Sequence, residues 1–248
     1  MTERSFDVVV IGGGPAGEVC AGRLGQEGLE VALVESHLIG GECSFYACMP
    51  SKALLRPAEA LAEARRVPGA AEAASGELDV AAVLRRRDEV VHGLDDSDQL
   101  PWLDERNVTV FRGHGRLDGE RRVRVGDELL RAKRAVVVAV GTGAVMPRIP
   151  GLREARPWTN REATTASSVP GRLLVLGGGV VGVELAQAWA SLGSHVTLVE
   201  LFERVLVREE PFASEEVAEA LGALGVDVRT SSEAVAVHRH HDVVSLEL

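Results

Sequence analysis

Lysine is nearly absent from this sequence: Lys52 and Lys133 are the only two, and arginine supplies the remaining positive charge. Aromatic residues make up 4%, with Tyr46 the single tyrosine. The three cysteines, Cys20, Cys43 and Cys48, are too few for a disulfide scaffold in a chain of 248 residues. A reducing, cytoplasmic setting is therefore the expected compartment. Long apolar runs are missing as well. The longest, Ala135 to Val140, is far short of the roughly 20 residues a helical membrane span needs. A strand-like run starts at Phe6 and leaves no room for a hydrophobic leader, so no signal peptide is expected. Acidic residues outnumber basic ones, 37 to 27, for a formal net charge of −10. A field of that sign repels nucleic acid and anionic membranes, and neither is expected as a partner.

What remains is an ordinary globular composition, 46% apolar, too apolar for disorder and long enough for one large or two modest domains. Asp7–Ile11 reads as a strand, followed by Gly12-Gly13-Gly14-Pro15-Ala16-Gly17, a small-residue helix to about Gly25, and a second strand at Leu29–Glu35. Such a strand, glycine turn, helix and strand make a βαβ unit with a parallel pair and right-handed crossover. A helix is expected from Lys52 to Arg66, then broken helix over 67–105. Val108–Val110, Arg122–Val125 and Leu129–Leu130 read as strands of an antiparallel excursion. Ala135–Val140 reads as a fully buried strand. Met146–Gly171 carries four prolines and little periodicity, which marks a linker. The pattern then restarts: strand Leu173–Leu176, turn Gly177-Gly178-Gly179-Val180-Val181-Gly182, helix Val183–Leu192 and strand His195–Glu200. Another helix at Ser214–Leu224 and strands at Val226–Arg229 and Ala234–Val237 follow. The expected fold class is α/β, with two Rossmann-like, doubly wound dinucleotide-binding domains over 1–150 and 151–248.

Both turns match G-x-G-x-x-G. The first glycine (Gly12, Gly177) permits a tight turn and the second (Gly14, Gly179) lets backbone amides approach a pyrophosphate. The third (Gly17, Gly182) lets the helix pack closely on the strand. The diphosphate would sit on the helix N-terminus, where unpaired N–H groups and the dipole favour negative charge. Glu35 and Glu200, each roughly 20 residues on, are placed to accept hydrogen bonds from a ribose. Glycine turns also open ordinary helices, so one copy would say little; two copies in full context point to two dinucleotides, a flavin and a nicotinamide. The Glu200 carboxylate disfavours a 2′-phosphate, and Leu201 stands where arginine would help one. NAD is therefore favoured, with Arg204 and Arg208 near enough to keep NADP open.

Gly40-Gly41-Glu42-Cys43-Ser44-Phe45-Tyr46-Ala47-Cys48-Met49-Pro50-Ser51-Lys52 is the most informative stretch. Three readings are open for its cysteines: a metal site, two unrelated buried thiols, or a redox pair. No further Cys or His lies at metal spacing nearby. A five-residue step in a regular helix rises roughly 7.5 Å, more than a disulfide normally spans. A bridge would need a distorted first turn, and strain makes a disulfide easier to reduce. The start of a helix also favours thiolate.

These residues resemble the flavoprotein disulfide reductases, a family that includes dihydrolipoamide dehydrogenase, glutathione reductase and mercuric reductase. The shared pattern is an N-terminal glycine turn, G-G-x-C-x4-C-x-P-S-K, an A-T-G-like strand end and a second glycine turn. Ala139-Val140-Gly141 stands at the A-T-G place, with Val140 for the usual threonine, and Ile149-Pro150-Gly151 matches the entry to the nicotinamide domain. The resemblance implies that Cys43 is the interchange thiol and Cys48 the thiol beside the flavin, with Lys52 near the flavin N5 and paired to Glu184. It implies FAD on Gly12, Gly14, Pro15, Ala16, Gly17, Glu35, Gly41, Cys43, Lys52, Gly115 and Gly141. The Gly113-His114-Gly115 segment resembles the stretch whose backbone meets adenine. NAD would bind Gly177, Gly179, Val180, Val181, Gly182, Glu184 and Glu200. Electrons would pass from NAD(P)H through flavin and the Cys43–Cys48 disulfide to a disulfide or metal-ion substrate.

The sequence departs from the pattern at Ser44-Phe45-Tyr46-Ala47, where Leu-Asn-x-Gly is commoner, so neither lipoamide nor glutathione is assigned. Nothing in it corresponds to the family's Gly-Asp segment or to its C-terminal dimerisation domain with a His-Pro…Glu acid–base pair. A homodimer, or a second chain that supplies the C-terminal domain, is therefore expected as a partner. Two alternatives compete: a nucleotide-binding fragment that needs a partner, and an NADH oxidase or transhydrogenase that does not use the thiols. The remaining features read as structural: Cys20 as a packed thiol, Arg85-Arg86-Arg87 as a solvated face, and His238, His240 and His241 as a solvated turn. Trp102, Trp158 and Trp189 carry no pattern.

Overall fold

The computed structural model describes Thr2–Leu248. Its elements are β1 (Thr2–Ile11), α1 (Pro15–Gln26), β2 (Val31–Glu35), α2 (Gly41–Phe45), α3 (Cys48–Arg66), α4 (Val80–Val90), α5 (Leu100–Asp104), β3 (Val108–Arg112), β4 (Gly115–Leu117), β5 (Arg122–Val125), β6 (Glu128–Val138), α6 (Asn160–Thr165), β7 (Arg172–Leu176), α7 (Val180–Ser191), β8 (His195–Val199), α8 (Pro211–Ala223), β9 (Asp227–Arg229), β10 (Ala236–His240) and β11 (Val243–Glu247). The chain is mixed α/β with parallel sheets, and it divides into two compact units. One comprises the residues up to Met49 with Glu89–Gly143; the other comprises Pro50–Asp88 with Ala144–Leu248. A single cut near residue 150 does not describe these units. Leu54, Leu55, Val83 and Leu84, from α3 and α4, share one apolar core with Trp189, Val196 and Leu198, so burying those helix faces assigns them to the second unit.

In the first unit the sheet order is β3-β2-β1-β6-β5-β4. β2, β3 and β6 run parallel to their neighbours in the β3-β2-β1-β6 set, and β6-β5-β4 is an antiparallel meander. Val9, Ile11, Ala32 and Val34 face one core, while Val8, Val10, Val31 and Leu33 face another. Successive strand residues point to opposite faces, so covering both faces requires the unbroken apolar runs seen in the sequence. Val108–Val110, the start of β3, was expected in the antiparallel excursion. It instead extends the parallel set, register Val31↔Val108, because α1 and the later helices provide crossovers long enough for parallel pairing. Of the strand expected to be fully buried at Ala135–Val140, Ala135–Val138 form the end of β6, and Ala139 and Val140 follow it. This run is not fully buried: Val138 is 60% and Val140 65% exposed. β5 pairs with β6 only up to Arg131, so beyond that point only β1 covers it.

The second unit has a parallel sheet β7-β8-β9 and an antiparallel hairpin β10-β11. The expected linker, Met146–Gly171, is partly ordered as α6. Thr159 caps this helix: its hydroxyl accepts from Arg161 N, and the Glu162 carboxylate accepts from Thr159 N at 2.7 Å. That capping box satisfies amides left unpaired at a helix start. The Thr159 hydrogen bonds hold the Glu162 carboxyl below its ordinary value. The arginine triplet is not a uniformly solvated face either. Arg87 is 1% exposed, donating to the carbonyls of Thr164 and Ala166 and pairing with Asp88. Periodicity places α4's third arginine on the same side as Val83 and Leu84, and the end of α6 supplies its acceptors. No helix among the described residues is long and apolar enough to cross a membrane.

Candidate functional site

In the first unit β1 ends at Ile11 and the chain turns through Gly12, where φ is +102°. α1 begins at Pro15, with Pro15 and Ala16 exposed in its first turn. A Cβ at Gly17 would overlap the Gly12 carbonyl oxygen, so only glycine lets this helix lie so close to the turn. At Gly14 the situation is opposite. Its backbone is extended (φ −72°, ψ −179°), and the nearest atom to an added Cβ is Gly41 Cα at 4.0 Å. The turn is thus tight at its base and open at its rim, a cradle that suits a diphosphate approaching the helix N-terminus.

Glu35, at the end of β2, is joined to the turn. Its Oε2 accepts from Gly13 N at 2.7 Å and its Oε1 from His37 N at 2.6 Å. Each carboxylate oxygen keeps a further lone pair for a ribose hydroxyl. The following glycines return to the same turn: Gly40 N donates to Gly13 O at 2.7 Å, and a Cβ at Gly41 would lie 2.7 Å from Gly14 Cα. α2 therefore starts on the turn and carries Cys43. It ends at Phe45, Tyr46 adopts φ −133°, and a new helix begins at Cys48. The two cysteines are on separate helices, and the five-residue step between them is not one regular helical path. Cys43 is half-buried and Cys48 exposed. Gly115 opens β4, where a Cβ would crowd Ile11 and Val34, and Gly141 follows β6 at φ +66°. His114 meets His37 edge to face at 6.2 Å.

The second unit repeats this geometry. Gly177 has φ +103°, a Cβ at Gly182 would overlap the Gly177 carbonyl oxygen, and a Cβ at Gly179 would meet nothing within 4 Å. Val180 and Val181 are exposed in the first turn of α7. Glu200 Oε2 accepts from Gly178 N at 2.5 Å and Oε1 from Phe202 N at 2.8 Å. Both glycine-turn carboxylates thus grip the middle glycine 22 residues earlier and the amide two residues later. In the same unit Lys52 Nζ lies 2.7 and 2.8 Å from the two Glu184 oxygens, and Ser51 Oγ donates to Glu184 Oε2 at 2.9 Å. Ser51 is buried.

A family model described as pyridine nucleotide-disulphide oxidoreductase matches residues 6–248. The chain belongs to this family. The family's proteins are oxidoreductases that bind FAD and NAD(P)H, and the two open glycine cradles with their carboxylates fit two such dinucleotides. The chain is 32% identical to a dihydrolipoyl dehydrogenase of Acholeplasma laidlawii, over 98% of this chain and 74% of that protein. It is 34% identical to a mercuric reductase of Acidithiobacillus ferrooxidans, over 94% of this chain and 44% of that one. Among solved structures it resembles the Cu(II) complex of the HOCl-induced flavoprotein disulfide reductase RclA from Escherichia coli. The TM-score is 0.82 with 27% identity, over 97% of this chain and 52% of that one. The chain thus spans about half the length of the mercuric reductase and of RclA.

Sequence reasoning missed three groups beside these sites. Ser51 was noted only as part of the cysteine motif. Asp96 is buried and accepts from Ile39 N and from both terminal nitrogens of Arg112. Nothing in the sequence marks Asp96, because its partners lie 57 and 16 residues away. The carbonyl of His37, held by Arg112 at 2.9 Å, was equally out of reach. The exposed histidines His238, His240 and His241 lie on or beside β10, and no metal-holding group of His, Cys, Asp and Glu occurs among the described residues.

Proposed function

We propose that this chain is the dinucleotide-binding portion of an FAD- and NAD(P)H-dependent disulfide reductase with Cys43 and Cys48 as its redox pair. The observation that carries this reading is the attachment of the cysteine segment to the first glycine turn, through Gly40 N to Gly13 O and the close approach of Gly41 to Gly14. The same backbone that would cradle the flavin's diphosphate thereby fixes where α2 and Cys43 begin. FAD, when bound, supplies the two-electron relay between nicotinamide and sulfur.

In this reading Cys43 Sγ attacks a substrate disulfide as thiolate, forming a mixed disulfide and releasing one substrate thiol. Cys48 then attacks Cys43, closing the pair and releasing the second thiol. The pair loses two electrons, and the substrate gains two electrons and two protons. Those protons require a general acid beside the pair. Lys52, its charge held by Glu184, would be the cation that serves the flavin, as the family resemblance implies. Glu200 favours NAD over NADP. The acceptor is a disulfide or a metal ion, since the relatives' names include both a mercuric reductase and a disulfide reductase complexed with Cu(II). The protein acts in the cytoplasm.

Anaerobic titration of the purified, FAD-loaded protein with NADH tests this. A long-wavelength thiolate-to-flavin absorbance band is expected, and the Cys48→Ser variant should lack it. Full turnover by a Cys43→Ser, Cys48→Ser double variant would refute the reading in favour of an oxidase or transhydrogenase.

A further inference from the structure

The four residues between Glu35 and Gly40 join the carboxylate at the end of β2 to the glycines that start the cysteine segment. Two of their backbone groups are held from outside. Asp96 Oδ2 accepts from Ile39 N at 2.6 Å, and Arg112 donates to the His37 carbonyl at 2.9 Å. Asp96 and Arg112 are themselves joined by a two-pronged ion pair, 2.6 Å from Oδ2 and 2.9 Å from Oδ1. Arg112 closes β3, two residues before His114, whose ring meets that of His37. One ion pair therefore ties together the loop after β2, the end of β3 and both imidazoles.

The corresponding place in the second unit is built differently. There Arg204 donates to the carbonyls of Leu206, Val207 and Glu209 within its own loop. The long-range ion pair is a feature of the first cradle. Burial alone would push the Asp96 carboxyl up, but the hydrogen bonds and charge of Arg112 and the Ile39 amide outweigh it and hold the carboxyl below its ordinary value. A buried carboxylate 8% exposed with this many donors is a fixed anchor.

We propose that Asp96 and Arg112 are positioning residues for the adenosine half of the dinucleotide in the first cradle. By clamping the His37 carbonyl and the Ile39 amide they preset Glu35 and the His37–His114 pair where ribose and purine arrive. The ordering of this loop is then complete before binding and is not subtracted from affinity. The inference rests on the reading of the first cradle as the FAD site.

The test uses the full chain freed of flavin, titrated with FAD by flavin fluorescence and separately with NADH by nicotinamide fluorescence. Asp96→Asn keeps the size of the side chain and removes its charge. Arg112→Lys keeps the charge and removes the fork, and it serves where Asp96→Asn does not fold. Each is expected to weaken FAD about tenfold while NADH affinity changes less than twofold, and the double variant should be no weaker than about tenfold because one coupled unit is lost. FAD affinity within twofold of the parent in Arg112→Lys overturns the proposal. So does a double variant weakened about a hundredfold, or an equal loss of both nucleotides. A parent chain that takes up no FAD overturns the flavin-site reading itself.

Discussion

Replacing Gly14 by alanine separates the cradle from the fold. The Gly14 backbone (φ −72°, ψ −179°) is one any L-residue adopts, and the new methyl would stand 4.0 Å from Gly41 Cα, an ordinary contact. The folded chain is therefore unstrained, and the narrower unfolded ensemble favours the variant by about 0.4–1 kcal/mol. The methyl nevertheless occupies the side of the turn a diphosphate must approach. Losing that approach should weaken FAD at least a hundredfold, about 2.7 kcal/mol. Gly17→Ala is the contrast. There the methyl collides with the Gly12 carbonyl oxygen, α1 must move off the sheet, and overpacking of this kind costs about 1–3 kcal/mol. Urea unfolding of the flavin-free chains and FAD titration of each read the two effects apart. The reasoning fails if Gly14→Ala binds FAD within about threefold of the parent, or if its urea midpoint falls as far as that of Gly17→Ala.

Arg87→Met should destabilise the second unit by about 2 kcal/mol, since the Thr164 and Ala166 carbonyls lose a buried donor; Arg85→Met, on the exposed side, should change the unfolding free energy measured in urea by less than about 0.5 kcal/mol. Glu184→Gln should leave stability within about 1 kcal/mol, because Lys52 is largely exposed, yet slow flavin reduction by NADH in stopped-flow absorbance; an unchanged rate would remove the pair from the chemistry. The Asp96 carboxyl is held below its unfolded value, so its contribution is full above the ordinary aspartate pKa of about 3.9 and fades as pH falls through the folded value. Acid unfolding followed by circular dichroism should accordingly be shallower below about pH 4 in Asp96→Asn, and a superimposable curve would contradict the ion pair's role.

The two cradles were legible because their glycines answer to backbone collisions a few residues away, and such constraints are written in consecutive letters. The T-x-x-E capping box at Thr159–Glu162 was legible in the same way, yet four prolines around it made the whole stretch read as linker. Val138 and Val140 were misjudged for a different reason. Apolar composition reports what a strand tolerates, whereas exposure depends on which neighbours run alongside it, and the pairing of β5 with β6 ends at Arg131 of β6. Arg87 and Asp96 belong to a third kind: each is buried by partners far along the chain, and a charged letter in a helix or loop carries no mark of the carbonyl or amide it will meet. Trp102, patternless in sequence, packs where Gly22 leaves room on α1, a fit visible only once helix and ring are side by side.

The doubly engaged carboxylate of Glu200 has a consequence for anyone wishing to change coenzyme preference. Exchanging it for a small neutral residue, the obvious route to accepting an extra phosphate, would also unhook the Gly178 and Phe202 amides and slacken the loop that must hold the coenzyme. On the proposed reading one side chain would carry both selectivity and rigidity, so redesign is better begun next door at Leu201, whose side chain is exposed and can be given a positive charge without untying anything.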